Sequence, residues 1–295
     1  MKSPSPTRRK ALKTIATGMA ALTGSSALAG NLVAMENKTT ALLKGNIRHS
    51  VCQWCYSDIP LEDLCKAAVE IGISSVELVG PDGWPTLKKY GLFNAMPNGA
   101  ELGLTKGFND PQYHEELFKK YSEIIPKVAD AGYDKIICFS GNRGKISDYQ
   151  GLENCAIGLD KLMPLADKYK VTLTMELFNA RDHFDYMGDS TEWGVALCRR
   201  LGTPWFKLLY DIYHMQIQEG DIIRTIRTYH EYINHYHTGG VPGRNEIDET
   251  QELFYPAIMR AILETGYKGF VGQEFIPSRG DALASLKQGV QICDV

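Results

Sequence analysis

The chain reads as one α/β domain, a TIM (β/α)8 barrel, on three observations. Apolar runs of strand length alternate with amphipathic helical stretches, glycines mark the passages from helix to strand, and ionisable residues close the last four strands. An open doubly wound sheet is the competing architecture, but no strand is followed by a Gly-rich dinucleotide fingerprint or a phosphate-binding loop.

Residues 1–29 stand apart from the fold. Arg8, Arg9 and Lys10 precede a weakly apolar stretch from Ile15 to Leu28, and Ala27-Leu28-Ala29 offers a small-x-small cleavage site. The paired arginines resemble a twin-arginine export signal, which implies a periplasmic destination and a protein that folds, and loads any cofactor, before export. The apolar stretch contains Gly18 and Gly24 and falls short of the roughly 20 residues that span a bilayer. The leader carries five positive charges and no acid, so its removal would take the formal net charge from -3 to -8. An acidic chain is a poor nucleic-acid partner.

Residues 30–45 read as a linker and 46–295 as the catalytic barrel, about the length one such barrel needs. The eight expected strands are 47–54, 75–79, 92–95, 135–139, 172–176, 206–211, 233–237 and 270–274. Between the first two, Ser57 and Asp58 precede Pro60 as a start signal, Leu61, Leu64, Cys65, Ala68 and Val69 share one helical face, and Gly72 ends the helix. Asp110, Ser190 and Asp281 begin later helices, and Gly132, Gly202 and Gly266 end them. Leu152, Cys155, Leu159, Leu162 and Leu165 repeat the helical spacing. Two segments after strand ends are long, 98–110 and 178–189, and would be lids or substrate walls. The seven scattered cysteines show no disulfide framework, and Cys52 and Cys55 read as core packing.

Glu176, Asp211, His237 and Glu274 close strands five to eight. In a closed parallel barrel those ends meet on one face, so three carboxylates and one imidazole could bind one divalent metal ion. That donor set favours Mn²⁺, Mg²⁺ or Co²⁺, with zinc also admissible. His214, three residues after Asp211, would turn back toward a substrate oxygen. Arg244, in the turn-rich loop after His237, would clamp a carboxylate or hydroxyl. Trp54 and Glu77, at the ends of strands one and two, would point at the same mouth as further substrate contacts. His235, deeper on the strand of His237, reads as a buried, hydrogen-bonded histidine.

Four stretches, 175–182, 210–221, 235–244 and 269–277, with the patterns DxYHxQxxEGD at 211–221 and PGR at 242–244, resemble the hydroxypyruvate isomerase family. That family lies within the xylose isomerase-like TIM barrel superfamily, near the ketose 3-epimerases. The resemblance covers the chain beyond the leader. It implies that Glu176, Asp211, His237 and Glu274 hold the metal, that Glu176 and Glu274 double as acid and base, and that His214 and Arg244 meet the substrate. The implied reaction is isomerisation of hydroxypyruvate or a related hydroxy-ketone through an enediolate. A ketose 3-epimerase or keto-sugar dehydratase on the same site is the alternative within enzymes, and a non-catalytic periplasmic sugar-binding barrel is the alternative outside them. No membrane span is expected, and association into a homo-oligomer is compatible with the sequence.

Overall fold

Seven parallel strands form one sheet in the computed structural model, which describes residues 43–295; the expected leader and most of the expected linker lie outside the described residues. The strands are β1 (Arg48–Cys52), β2 (Ser75–Glu77), β3 (Lys135–Cys138), β4 (Thr172–Glu176), β5 (Phe206–Asp211), β6 (Ile233–Thr238) and β7 (Phe270–Gln273). Their order in the sheet is β2-β1-β7-β6-β5-β4-β3, with helices between successive strands. β3, β4, β5 and β7 are largely apolar and almost wholly buried, as a parallel sheet covered by helices requires.

The expected strand at 92–95 is corrected. Phe93 makes only an isolated parallel bridge to Ser75, although the segment lies between β2 and β3. On one side it accepts from Val76 and Leu78 through the carbonyls of Phe93 and Met96, and on the other Ile137 donates to the carbonyl of Pro97. Local polar side chains capture the groups a ladder would use: Ala95 N–H donates to Ser75 Oγ, and Asn94 Nδ2 donates to the Val79 carbonyl. Pro97 has no N–H to offer. Seven strands plus this bridging segment replace the eight regular strands expected.

Strand ends differ more modestly. β1 stops at Cys52 and the chain turns into a 3-10 helix, Gln53–Tyr56, so Trp54 belongs to that turn. β2 stops at Glu77 because Leu78 adopts a left-handed φ of 57°. Ser57 and Asp58 do not cap the helix Leu61–Ile71, whose N-cap is Pro60. Asp110, Ser190 and Asp281 do accept from backbone N–H groups at helix starts. Gly72 and Gly202 end their helices in the left-handed conformation.

Residues at the start of the described chain belong to the barrel rather than to a linker. Lys44 N–H donates to Asp294 Oδ2 at 2.7 Å, Asn46 Nδ2 donates to the Val295 carbonyl, and Leu43 packs against the core. Among the described residues no helix is long and apolar enough to cross a membrane. All seven cysteines are free.

Candidate active site

The sheet register brings the strand ends together. Asp211 on β5 stands beside His237 on β6, which stands beside Gly272 on β7. Glu176 ends β4, and Glu274 follows β7 with its N–H donating to the Thr238 carbonyl. Each of Glu176, Asp211, His237 and Glu274 offers a ligand atom, all four lying within 4.8 Å of one another and all four residues buried. His237 Nδ1 lies 2.6 Å from Glu274 Oε2 and 3.6 Å from Glu176 Oε1.

These distances are not simple hydrogen bonds. His237 Nδ1 and Glu176 Oε1 are both buried without a hydrogen-bond partner, so two polar atoms face each other unsatisfied. Lone pairs converging from an imidazole and three carboxylates suit one divalent cation, and the donor set fits a hard or borderline ion.

Electrostatics agree with that concentration of negative charge. Burial, reinforced by the charge of Glu274, pushes the Glu176 carboxyl up to about 7. Burial likewise raises Asp211, to about 6, although Arg244 pulls the other way. Burial would also raise Glu274, but His237 and Arg244 outweigh it and hold this carboxyl well below the usual range. Burial works against charge on His237, yet Cys52 and Glu274 lift its imidazole well above the ordinary value.

Arg244 reaches into the same cluster. Its Nη2 donates to Asp211 Oδ2 at 2.8 Å and to Glu274 Oε2 at 2.5 Å, so one guanidinium spans two of the four candidate ligands. A left-handed backbone at Arg244, φ 59°, aims the side chain inward, and the turn is held by Ile276 N–H donating to the Arg244 carbonyl. The guanidinium also lies 5.3 Å from the Trp54 ring and 5.2 Å from that of Tyr213. Trp54 Nε1 donates to Glu274 Oε1 at 2.7 Å.

A cavity of about 380 Å³ opens above the cluster. Glu176, Glu274, Arg244 and Trp54 line it, together with apolar Leu78, Leu104, Ile137, Phe139 and Phe178. Asn98, Glu101 and Gly103 bring the segment 98–110 to the wall. This segment is stitched to the chain after β3: Asn109 N–H donates to the Ser140 carbonyl, and Gly107 approaches Gly141 so closely that a Cβ would strike its backbone. It is a fixed wall.

Two expected substrate contacts sit elsewhere. Glu77 is fully buried behind His237, accepting from His237 Nε2 at 2.8 Å and His235 Nε2 at 3.0 Å, and does not line the cavity. Leu78, the next residue, lines the cavity, while Glu77 is turned inward beneath it against the two histidines. His214 is also fully buried, with Nδ1 receiving Asn179 Nδ2 at 2.7 Å and Nε2 lying 3.0 Å from Arg244 Nη1. It stands behind the arginine, and burial with the nearby guanidinium keeps it neutral. The histidine that does reach the wall is His183, stacked on Phe178 at 4.4 Å. Sequence reasoning marked its loop but not the residue, since irregular loops carry no periodicity to read.

Residues 65–293 match the family model described as "Xylose isomerase-like TIM barrel". A putative hydroxypyruvate isomerase of Drosophila melanogaster is 38% identical over 226 residues, covering 72% of this chain and 84% of the relative. The putative hydroxypyruvate isomerase of Homo sapiens is 26% identical over 234 residues, covering 79% and 80%. Among solved structures, a family 2 AP endonuclease from Brucella melitensis superposes with a TM-score of 0.74 at 23% identity, covering 81% of this chain and 97% of that one, a likeness of fold. On the family match and the Drosophila relative together, the chain belongs to the hydroxypyruvate isomerase family of xylose isomerase-like TIM barrels.

Proposed function

We propose that the protein is a metal-dependent isomerase of hydroxypyruvate or a related small hydroxy-ketone, with Glu176 and Glu274 as its acid-base pair. The observation that carries this reading is the meeting of four buried ligand atoms within 4.8 Å at the floor of a cavity that two of their owners line. Glu176, Asp211, His237 and Glu274 would hold the ion, whose chemistry is to polarise a substrate carbonyl and stabilise negative charge on oxygen. The relatives' names supply the substrate class.

This chain's residues account for the rest. Glu274, held ionised by donors from Trp54 and Arg244, is suited to take the proton from the carbon beside the carbonyl. Glu176, whose carboxyl is raised by burial, is suited to return a proton to the neighbouring carbon of the enediolate, while the substrate hydroxyl proton passes to the former carbonyl oxygen. Arg244 supplies a guanidinium for a substrate carboxylate or hydroxyl. The apolar wall excludes water from the reacting carbons.

Solvent deuterium exchange tests the proposal. With Mn²⁺ present, the α-proton of hydroxypyruvate should exchange, and Glu274→Gln should lower that exchange by about 10²–10⁴-fold while the fold is kept. Exchange at the wild-type rate in that variant removes Glu274 from the base role. The cavity is roomy for a three-carbon acid, which favours a longer ketose as a second reading. A faster exchange at carbon three of a ketohexose than in hydroxypyruvate would select epimerisation.

A further inference from the structure

We propose that Glu77 is the positioning residue for His237: it anchors the Nε2–H of that imidazole and so commits Nδ1 to the metal. This inference rests on the reading that the four-residue cluster holds a cation.

Glu77 ends β2 and reaches β6 across the barrel interior, since β1 and β7 stand between those two strands in the sheet. Its Oε1 accepts from His237 Nε2 at 2.8 Å and His235 Nε2 at 3.0 Å, and the Cys52 thiol lies 3.4 Å from the same oxygen. Neither lysine nor arginine is hydrogen-bonded to this carboxylate; imidazole N–H groups are its main donors.

The geometry divides the two ring nitrogens of His237. On the Nε2 side stand Glu77 and Cys52; on the Nδ1 side stand Glu176 and Glu274. A carboxylate that accepts from one nitrogen fixes the tautomer and the ring plane, leaving the other nitrogen's lone pair for a ligand.

Space for this contact is built into the sheet. Gly272 shares register with His237 on one side and Ser50 on the other. A Cβ at 272 would collide with Glu77 Oε1 and approach His237 Cδ2 to 2.8 Å. The missing side chain on β7 is therefore what lets Glu77 reach the histidine.

Glu77, His235 and His237 could themselves hold a cation, being within mutual reach. The hydrogen-bonded arrangement is favoured because a second ion would compete for Nε2, and none of the three lines the cavity.

Mn²⁺ titration of the metal-free full chain, read by calorimetry and by free-Mn²⁺ spin resonance, tests the proposal. Wild type should bind one equivalent. Glu77→Leu should bind about 10–100-fold more weakly, and Glu77→Gln, which retains an acceptor oxygen, should recover part of that loss. In the Zn²⁺-loaded protein, ¹⁵N shifts should show His237 protonated at Nε2 in wild type. Wild-type affinity in Glu77→Leu with one equivalent bound overturns the role of Glu77 and leaves the metal cluster standing, whereas a proton on Nδ1 overturns it and removes His237 from the ligand set. Two equivalents in wild type overturn it in favour of a second site. Failure of wild type to bind Mn²⁺ overturns the cluster and the inference together.

Discussion

A single guanidinium bridges two carboxylates at the floor of the cavity, so Arg244 has a structural part in the cluster. Removing it leaves Asp211 and Glu274 buried without that partner, so Arg244→Met should destabilise the metal-free protein by about 3–5 kcal/mol in urea melts. Added Mn²⁺ should restore most of that loss, since the ion neutralises the same carboxylates. At this scale the meeting of Glu176, Asp211, His237 and Glu274 was legible because each stands at or just past a strand end, and strand parity then places them on one side. Glu77 closes a run in the same way, yet its position was misjudged. The strand's end shows in the sequence, whereas the depth to which a turn such as Leu78 leaves a side chain does not. His214 was misplaced for a related reason: the one-turn return after Asp211 puts it beside Asn179, behind Arg244 rather than before it.

The loop that carries Arg244 depends on a neighbouring acid. Glu246 accepts from Ser278 N–H and Oγ, from Arg279 N–H and from Ser285 Oγ, joining the loop after β6 to the chain after β7. Burial opposes its charge, but the donors led by Ser278 prevail and lower its carboxyl to about 2. A depressed acid contributes stability fully above its unfolded value and loses it as pH falls through the folded one. The contribution should thus fade from about pH 4.5 toward 2, and Glu246→Gln should flatten that acid limb of the stability curve while costing of the order of 2 kcal/mol at pH 7. The elements themselves were largely visible. Residues 172–176 and 206–211 match their strands, pairing in register from Leu173 beside Phe206 to Glu176 beside Leu209. Segment 92–95 fails as a strand because Ser75 and Asn94 divert its hydrogen bonds and Pro97 ends any ladder. No residue pattern distinguishes such capture in advance.

Over the whole molecule, folding and ion binding should be linked, since the ligands come from four separate strands and only the folded barrel gathers them. Mn²⁺ at 100 times its Kd should stabilise the protein by about 2.7 kcal/mol, raising Tm by several degrees in calorimetry, and EDTA should reverse the shift. The α/β architecture was readable from alternation and punctuation spread along the chain, while the substrate wall was not, since it is assembled from irregular loops far apart in sequence. That division has a physical layout. All four candidate ligands come from the contiguous half β4 to β7, whereas Trp54, Leu78, Leu104 and Phe139 descend from the other half. The candidate ligands therefore share one side of the scaffold, while the cavity wall draws on both, since Phe178 and His183 follow β4. If the proposed function holds, randomising Leu78, Leu104 and Phe139 should shift preference toward bulkier or smaller hydroxy-ketones in a substrate screen while Mn²⁺ affinity is kept.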